Sequence, residues 1–166
     1  NLVQRGVYEA ERGEVLLVGN NESINLLHTN ASPFFDFTQA TTAAATTTFA
    51  TVASLNVEGT LTLSGGVSNK LKLRSSTTGT RWYIDPYATA TLLYLDVKDS
   101  NNISTSTTPL DCTTGCTDSG NNLYWEFPAT VLILSGTLYG DQGLTALTGV
   151  HTLKLAVGTT TPSTQS

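Results

Sequence analysis

The sequence predicts an all-β domain of the sandwich or barrel type, on three observations. Apolar residues recur at every second position, as in 55–63, where Leu55, Val57, Leu61 and Leu63 alternate with Asn56, Thr60 and Thr62. A period of two places one strand face in a core and the other in water. Threonine supplies 30 of the 166 residues and falls largely on the outer phase of such runs, where its branched Cβ suits a pleated surface and its hydroxyl stays hydrated. Turn signals such as Gly19-Asn20-Asn21, Ser64-Gly65-Gly66 and Ser119-Gly120-Asn121-Asn122 cut the chain into short runs, the pattern of many strands joined by tight connections.

In order, the predicted strands are 2–8, 14–18, 23–28, 34–37, 49–63, 70–74, 82–85, 88–98, 123–127, 131–139 and 151–157. Leu71 and Leu73 alternate with Lys70, Lys72 and Arg74, and Leu153, Leu155 and Val157 with Thr152 and Lys154. The run 129–134 is apolar on both phases, as expected of a strand covered on two sides. A helical turn around Ala43-Ala44-Ala45 is the one helix candidate, and the Thr residues beside it argue against a long helix. No internal repeat is visible in the letters. Residues 159–166 are low in complexity and read as a tail.

Length fits one domain with a core of useful size. Charged residues make up 13% of the chain, about half the usual share of roughly 25%. Such a neutral, hydroxyl-rich surface fits a secreted or cell-surface β protein. The net charge is -5, and Lys70, Lys72 and Arg74 are too few to grip a phosphate backbone, so nucleic acid is not an expected partner. No apolar run approaches the roughly 18 residues of a membrane span. The start lacks Met, consistent with an export signal already removed.

Cys112 and Cys116 flank Thr113-Thr114-Gly115. The short loop and a glycine able to take a tight backbone angle favour a local disulfide. A metal site needs about four ligands, and a redox pair normally has two residues between its cysteines. Neither metal nor cofactor is expected. No catalytic residue is assigned either: there is no nucleophile elbow, zinc-binding helix motif or phosphate loop. Glu58, Asp85, Asp96 and Glu126 fall on outward phases, and His28 and His151 stand at strand ends. Trp82, Tyr83, Tyr87, Tyr94, Tyr124 and Trp125 offer a stacking platform for sugar rings, against the simpler reading of tryptophan in the core and tyrosine at the rim. Asn21, Asn30 and Asn102 each open an N-x-S sequon and are candidate glycosylation sites.

The N-terminal strand 2–8 is set apart from the next by Glu9, Glu11, Arg12 and Gly13. It can pair within its own domain, or leave it and complete a neighbour's sheet by strand addition, with Leu2, Val3, Val7 and Tyr8 filling acceptor pockets. The expected organisation is a donor strand and linker at 1–12, a β-sandwich domain at 13–158 and a tail at 159–166.

Taken together, the alternating Thr-rich strands, low charge, sequons at Asn21, Asn30 and Asn102, the Cys112–Cys116 pair and the separable first strand resemble the extracellular thread-type filament subunits and related bundling pili of crenarchaea. The resemblance implies an immunoglobulin-like β-sandwich with an extended N-terminal donor strand. It further implies a linear homopolymer of identical subunits carrying N-glycans and supporting adhesion or biofilm formation. A secreted carbohydrate-binding or surface-layer module is the alternative.

Overall fold

In the computed structural model all paired strands run parallel and stack as a β-solenoid of about four turns. The structure describes residues 2–4, 12–26, 34–51, 54–129, 146 and 148. The chain divides into two compact units, 1–130 and 131–166, and the strands named here all lie in the first.

At one end lie β1 (Leu2–Gln4) and β2 (Glu14–Leu16). Next come β3 (Asn21–Leu26) and β4 (Asp36–Ala40). The following turn holds β5 (Ala45–Phe49), β6 (Ser54–Val57) and β7 (Thr60–Ser64). Above it sit β8 (Leu71–Ser75), β9 (Trp82–Pro86) and β10 (Thr89–Leu93). Then follow β11 (Leu95–Val97), β12 (Ser100–Asn102) and β13 (Leu110–Asp111), with β14 (Thr117–Asp118) and β15 (Trp125–Glu126) at the far end.

Three walls result. Sheet A has the order β1-β3-β5-β8-β11-β14, sheet B β10-β7-β4-β2 and sheet C β12-β9-β6, while β13 and β15 form a short pair. Bridges from Phe34 to Val57 and from Asn101 to Leu123 extend sheet C by one level each way. Each strand's partner lies a whole turn away: Ala45 is beside Leu71, and Leu71 beside Leu95.

Inward columns make the core. On sheet A these are Ala45, Leu71 and Leu95, then Thr47, Leu73 and Val97; on sheet B, Phe37 and Leu61, then Gln39, Leu63 and Leu92. Aromatic rings from successive turns also meet inside. Phe49 stacks on Trp82 with centroids 3.9 Å apart, and Trp82 meets Trp125 edge-on at 6.4 Å. The buried indole is satisfied, because Trp82 Nε1 donates to the Lys98 carbonyl at 3.2 Å.

Corners between walls use left-handed backbone. Gly79, Asp99 and Asn121 have φ of 83°, 56° and 59° and are tied to one another across levels. The Asn121 amide donates to Asp99 Oδ1 at 2.6 Å and to the Gly79 carbonyl at 3.2 Å, while Gly79 N–H donates to Asp99 Oδ2 at 3.1 Å. Asn and Asp are the side-chain-bearing residues that best tolerate this conformation.

These observations correct the expected immunoglobulin-like sandwich. The chain is all-β, and no helix occurs among the described residues, but its strands are parallel. Period-two alternation reports that one face is buried; it is silent on strand direction. The tight connections expected between strands are corners that pass the chain to the next wall. The predicted single strand 49–63 is broken at Ala50-Thr51 and Glu58-Gly59 into parts of three walls, and 88–98 is split at Tyr94, whose φ is 52°. Predicted strands 131–139 and 151–157 lie outside the described residues.

The extended donor strand is corrected as well. β1 pairs with β3 of its own chain in the register Leu2–Ile24, Val3–Asn25 and Gln4–Leu26. A segment already seated in its own sheet is not an arm held out for a neighbour. Val7 and Tyr8 lie outside the described residues.

Candidate functional site

The outer face of sheet C carries the densest set of groups able to meet a ligand. On β6 the inward residues are Leu55 and Val57, so Ser54 and Asn56 face outward; on β9 Trp82, Ile84 and Pro86 point in, leaving Tyr83 and Asp85 outside. Parallel register aligns these side chains from turn to turn. Ser54, Tyr83, Asn101 and Leu123 form one column. Asn56 and Asp85 begin a second, which Ile103 continues through its N–H bond to the Ile84 carbonyl at 2.9 Å.

Several large side chains here are open to solvent: Tyr83 is 37% exposed, Tyr87 52% and Tyr124 60%, with Ile103 and Leu123 also exposed. Ile103 and Tyr124 line an open groove of about 510 Å³ with Thr105 and Thr108. The Asp85 charge raises the Tyr87 hydroxyl above its ordinary pKa, helped by partial burial, a hydrogen bond to Asp85 and the Glu58 charge. The phenol therefore remains protonated and a donor through the physiological range. Arg81 stands at the margin, and its Nε is occupied by the Asn121 carbonyl at 2.9 Å.

Other faces are simpler. Sheet B presents Thr38, Thr62 and Thr91 in register, beside Asp36, Thr60 and Thr89; Asp36 Oδ1 accepts the Thr60 N–H at 2.6 Å. Sheet A pairs its charges across levels, Arg74 meeting Asp96 at 2.8 Å. Burial pushes the Asp96 carboxyl up, but hydrogen bonds from Arg74 and Ser119 and the Arg74 and Lys72 charges outweigh it and leave it below the usual range. The aromatics divide as sequence chemistry anticipates: Trp82 is fully buried, Trp125 half-buried, and Tyr83 outside.

The sequons fare differently. Asn21 opens β3 and is exposed, at the rim of a cleft of about 300 Å³ shared with Thr46, Asn69 and Lys72. Asn102 is 1% exposed. Its amide donates to the Thr107 carbonyl at 2.7 Å and its oxygen accepts the Ser104 N–H at 3.1 Å, so the folded chain uses this side chain to fix a loop. Asn30 lies outside the described residues, as do His28 and His151. Cys112 and Cys116 are joined, with Cα atoms 5.7 Å apart. The loop they close packs at the corner beside Tyr94, whose N–H donates to the Thr114 carbonyl at 3.0 Å.

Among the described residues no group of three or more His, Cys, Asp or Glu is placed to hold a metal ion, and no helix is long and apolar enough to cross a membrane. Comparison with protein-family models, curated proteins and solved structures finds no match for this chain. In the letters the tyrosines stand out, whereas Ser54, Asn56, Asn101, Ile103 and Leu123 do not. Those residues join the site only through the turn-to-turn register, which no short motif records.

Proposed function

We propose that the chain is a structural element of an extracellular surface filament, in which identical copies stack end on end along the solenoid axis and support adhesion or biofilm formation. The observation that carries this reading is the continuous parallel register of sheet A through six strands. Each level repeats the hydrogen-bonding geometry of the last, so a further level from another copy adds without any change of fold. Low charge and a hydroxyl-rich surface support an exterior location, and the exposed Asn21 is the sequon best presented for an N-glycan.

End-on assembly takes the place of strand donation, because β1 is already used within its own chain. Negative-stain microscopy and sedimentation of the purified protein test it. Filaments or rods lengthening with concentration are expected. Proline at Leu16 in β2, whose amide faces away from β4 because the Leu17 N–H donates to the Thr38 carbonyl, removes an outward backbone donor at one end and should return the protein to monomers of unchanged circular dichroism. A wild-type chain that stays monomeric at high concentration, or polymers indifferent to this proline, overturns the reading.

A further inference from the structure

One polar pair interrupts the apolar columns that face each other across sheets A and B. Gln39 of sheet B shares its column with Leu63 and Leu92, and Thr47 of sheet A shares its own with Leu73 and Val97. Gln39 is 1% exposed and Thr47 0%. The Thr47 hydroxyl donates to Gln39 Oε1 at 2.6 Å, which ties the two walls together. Gln39 Nε2 is shielded from solvent too, and it has no hydrogen-bond partner. A buried amide nitrogen left unpaired is costly, and such an exception marks strain, function or an absent partner. A leucine and a valine would fill similar space without that cost.

A third polar residue joins this level. Glu22 is the register partner of Thr47 in the parallel pair β3 and β5, on the inward phase shared with Ile24. Among the described residues it is the one carboxylate of these two columns. Gly19 leaves room for its side chain, since a Cβ there would lie 1.8 Å from Glu22 Oε1. Paired strands lie about 4.8 Å apart, which brings a Glu22 carboxylate within reach of the Thr47 hydroxyl, directly or through one water. A hydroxyl nucleophile, an acyl carbon and a base are the components of acyl transfer. With Thr47 Oγ1 2.6 Å from Gln39 Oε1, the Gln39 Cδ lies one C=O bond of about 1.23 Å further on. That is close to the near-attack separation of about 3–3.5 Å.

We infer that Thr47 and Gln39 become joined by an ester across the core. Glu22 takes the Thr47 Oγ1 proton as Oγ1 adds to Gln39 Cδ. The Cδ–Nε2 bond then breaks, and the nitrogen leaves as ammonia with that proton, so Glu22 ends as it began. No oxidant or reductant is needed. The atom expelled is the one without a partner in the fold, and the ester that replaces the amide has no donor left to satisfy. Burial of both residues keeps water from the product and so protects it from hydrolysis. The link lies within one chain and stands apart from end-on assembly: a monomer can carry it, and a filament can lack it.

Peptide mass spectrometry of the full-length chain, made in a host that does not glycosylate and incubated to constant mass, provides the test. Trypsin leaves both residues in one cysteine-free peptide, 13–70. That peptide is expected to be lighter than its encoded mass by one ammonia, with no fragments from single backbone cleavages between positions 39 and 47. Mild alkali should open the ester with water and leave the peptide heavier than encoded by one amide-to-acid conversion, located at position 39. Thr47→Val and Gln39→Leu should keep their encoded masses, and Thr47→Ser should regain the loss. Glu22→Gln should slow the loss about a hundredfold or more, with unchanged circular dichroism. A wild-type peptide at its encoded mass, a loss that persists in Thr47→Val, or an undiminished rate in Glu22→Gln overturns the inference.

Discussion

Asp99 concentrates much of what holds one corner together. It is 3% exposed, and burial pushes its carboxyl up. Hydrogen bonds from the Asn121 amide and Gly79 N–H, with the Lys98 and Arg74 charges, outweigh that effect and leave it below the ordinary carboxylate range. A depressed folded-state pKa means the unfolded chain binds the proton more readily. The group's contribution is therefore whole above the unfolded value of about 3.9 and is lost as pH falls through the depressed one. Asp99→Asn keeps the left-handed backbone but removes the titration. Urea unfolding from neutrality into acid should show wild-type stability falling more steeply than that of Asp99→Asn; equal slopes would refute this role. Nothing in the letters Lys98-Asp99-Ser100 announces it, since the partners lie one turn back and one turn on.

At the scale of elements, the Cys112–Cys116 loop was legible because its closure is local. The chain-entropy relation gives such a small loop roughly 2 kcal/mol of stabilisation. Replacing both cysteines with serine should lower the unfolding free energy by about that amount, read from denaturant midpoints at unchanged slope. A loss much above this would mean the bridge holds more than its own loop. The strands divide on the same principle. Leu71-Lys72-Leu73-Arg74 declared its inward and outward phases plainly, and the structure agrees. Glu58-Gly59 and Tyr94 hid a change of wall inside what reads as one strand. Alternation survives a corner when the corner is short, so the letters gave no sign that the chain had turned. The outer face of sheet C was half visible for a related reason. Tyr83 stands out alone, but Ser54 and Asn101 gain meaning only as its neighbours in register.

Over the whole molecule, the turn spacing explains why repetition escaped notice in the sequence. Ala45 to Leu71 is 26 residues and Leu71 to Leu95 is 24, while on sheet C Ser54 to Tyr83 is 29. A period that drifts with corner length leaves no fixed self-similarity, although the architecture is strictly repetitive. Deleting residues 71–94 tests the architecture directly. The cut removes one turn and sets Leu95 opposite Ala45, the place Leu71 held, and Asn101 opposite Ser54. The shortened protein should retain its β circular dichroism and unfold cooperatively, with a reduced denaturant slope reflecting the smaller buried surface. A collapse to random coil would show that the turns are not interchangeable.

The uniform direction of the strands has one more consequence. No two-fold relation exists between the first wall edge and the last, so the tips of the solenoid are chemically unlike. Any association along the axis is then vectorial, plus tip to minus tip, an open heterologous contact that does not close on itself. Two copies meeting tip to identical tip would bring strands together antiparallel, a pairing that repeats nowhere else in the stack. Growth by this route has an arrow, and blocking the same tip on every copy is enough to stop it.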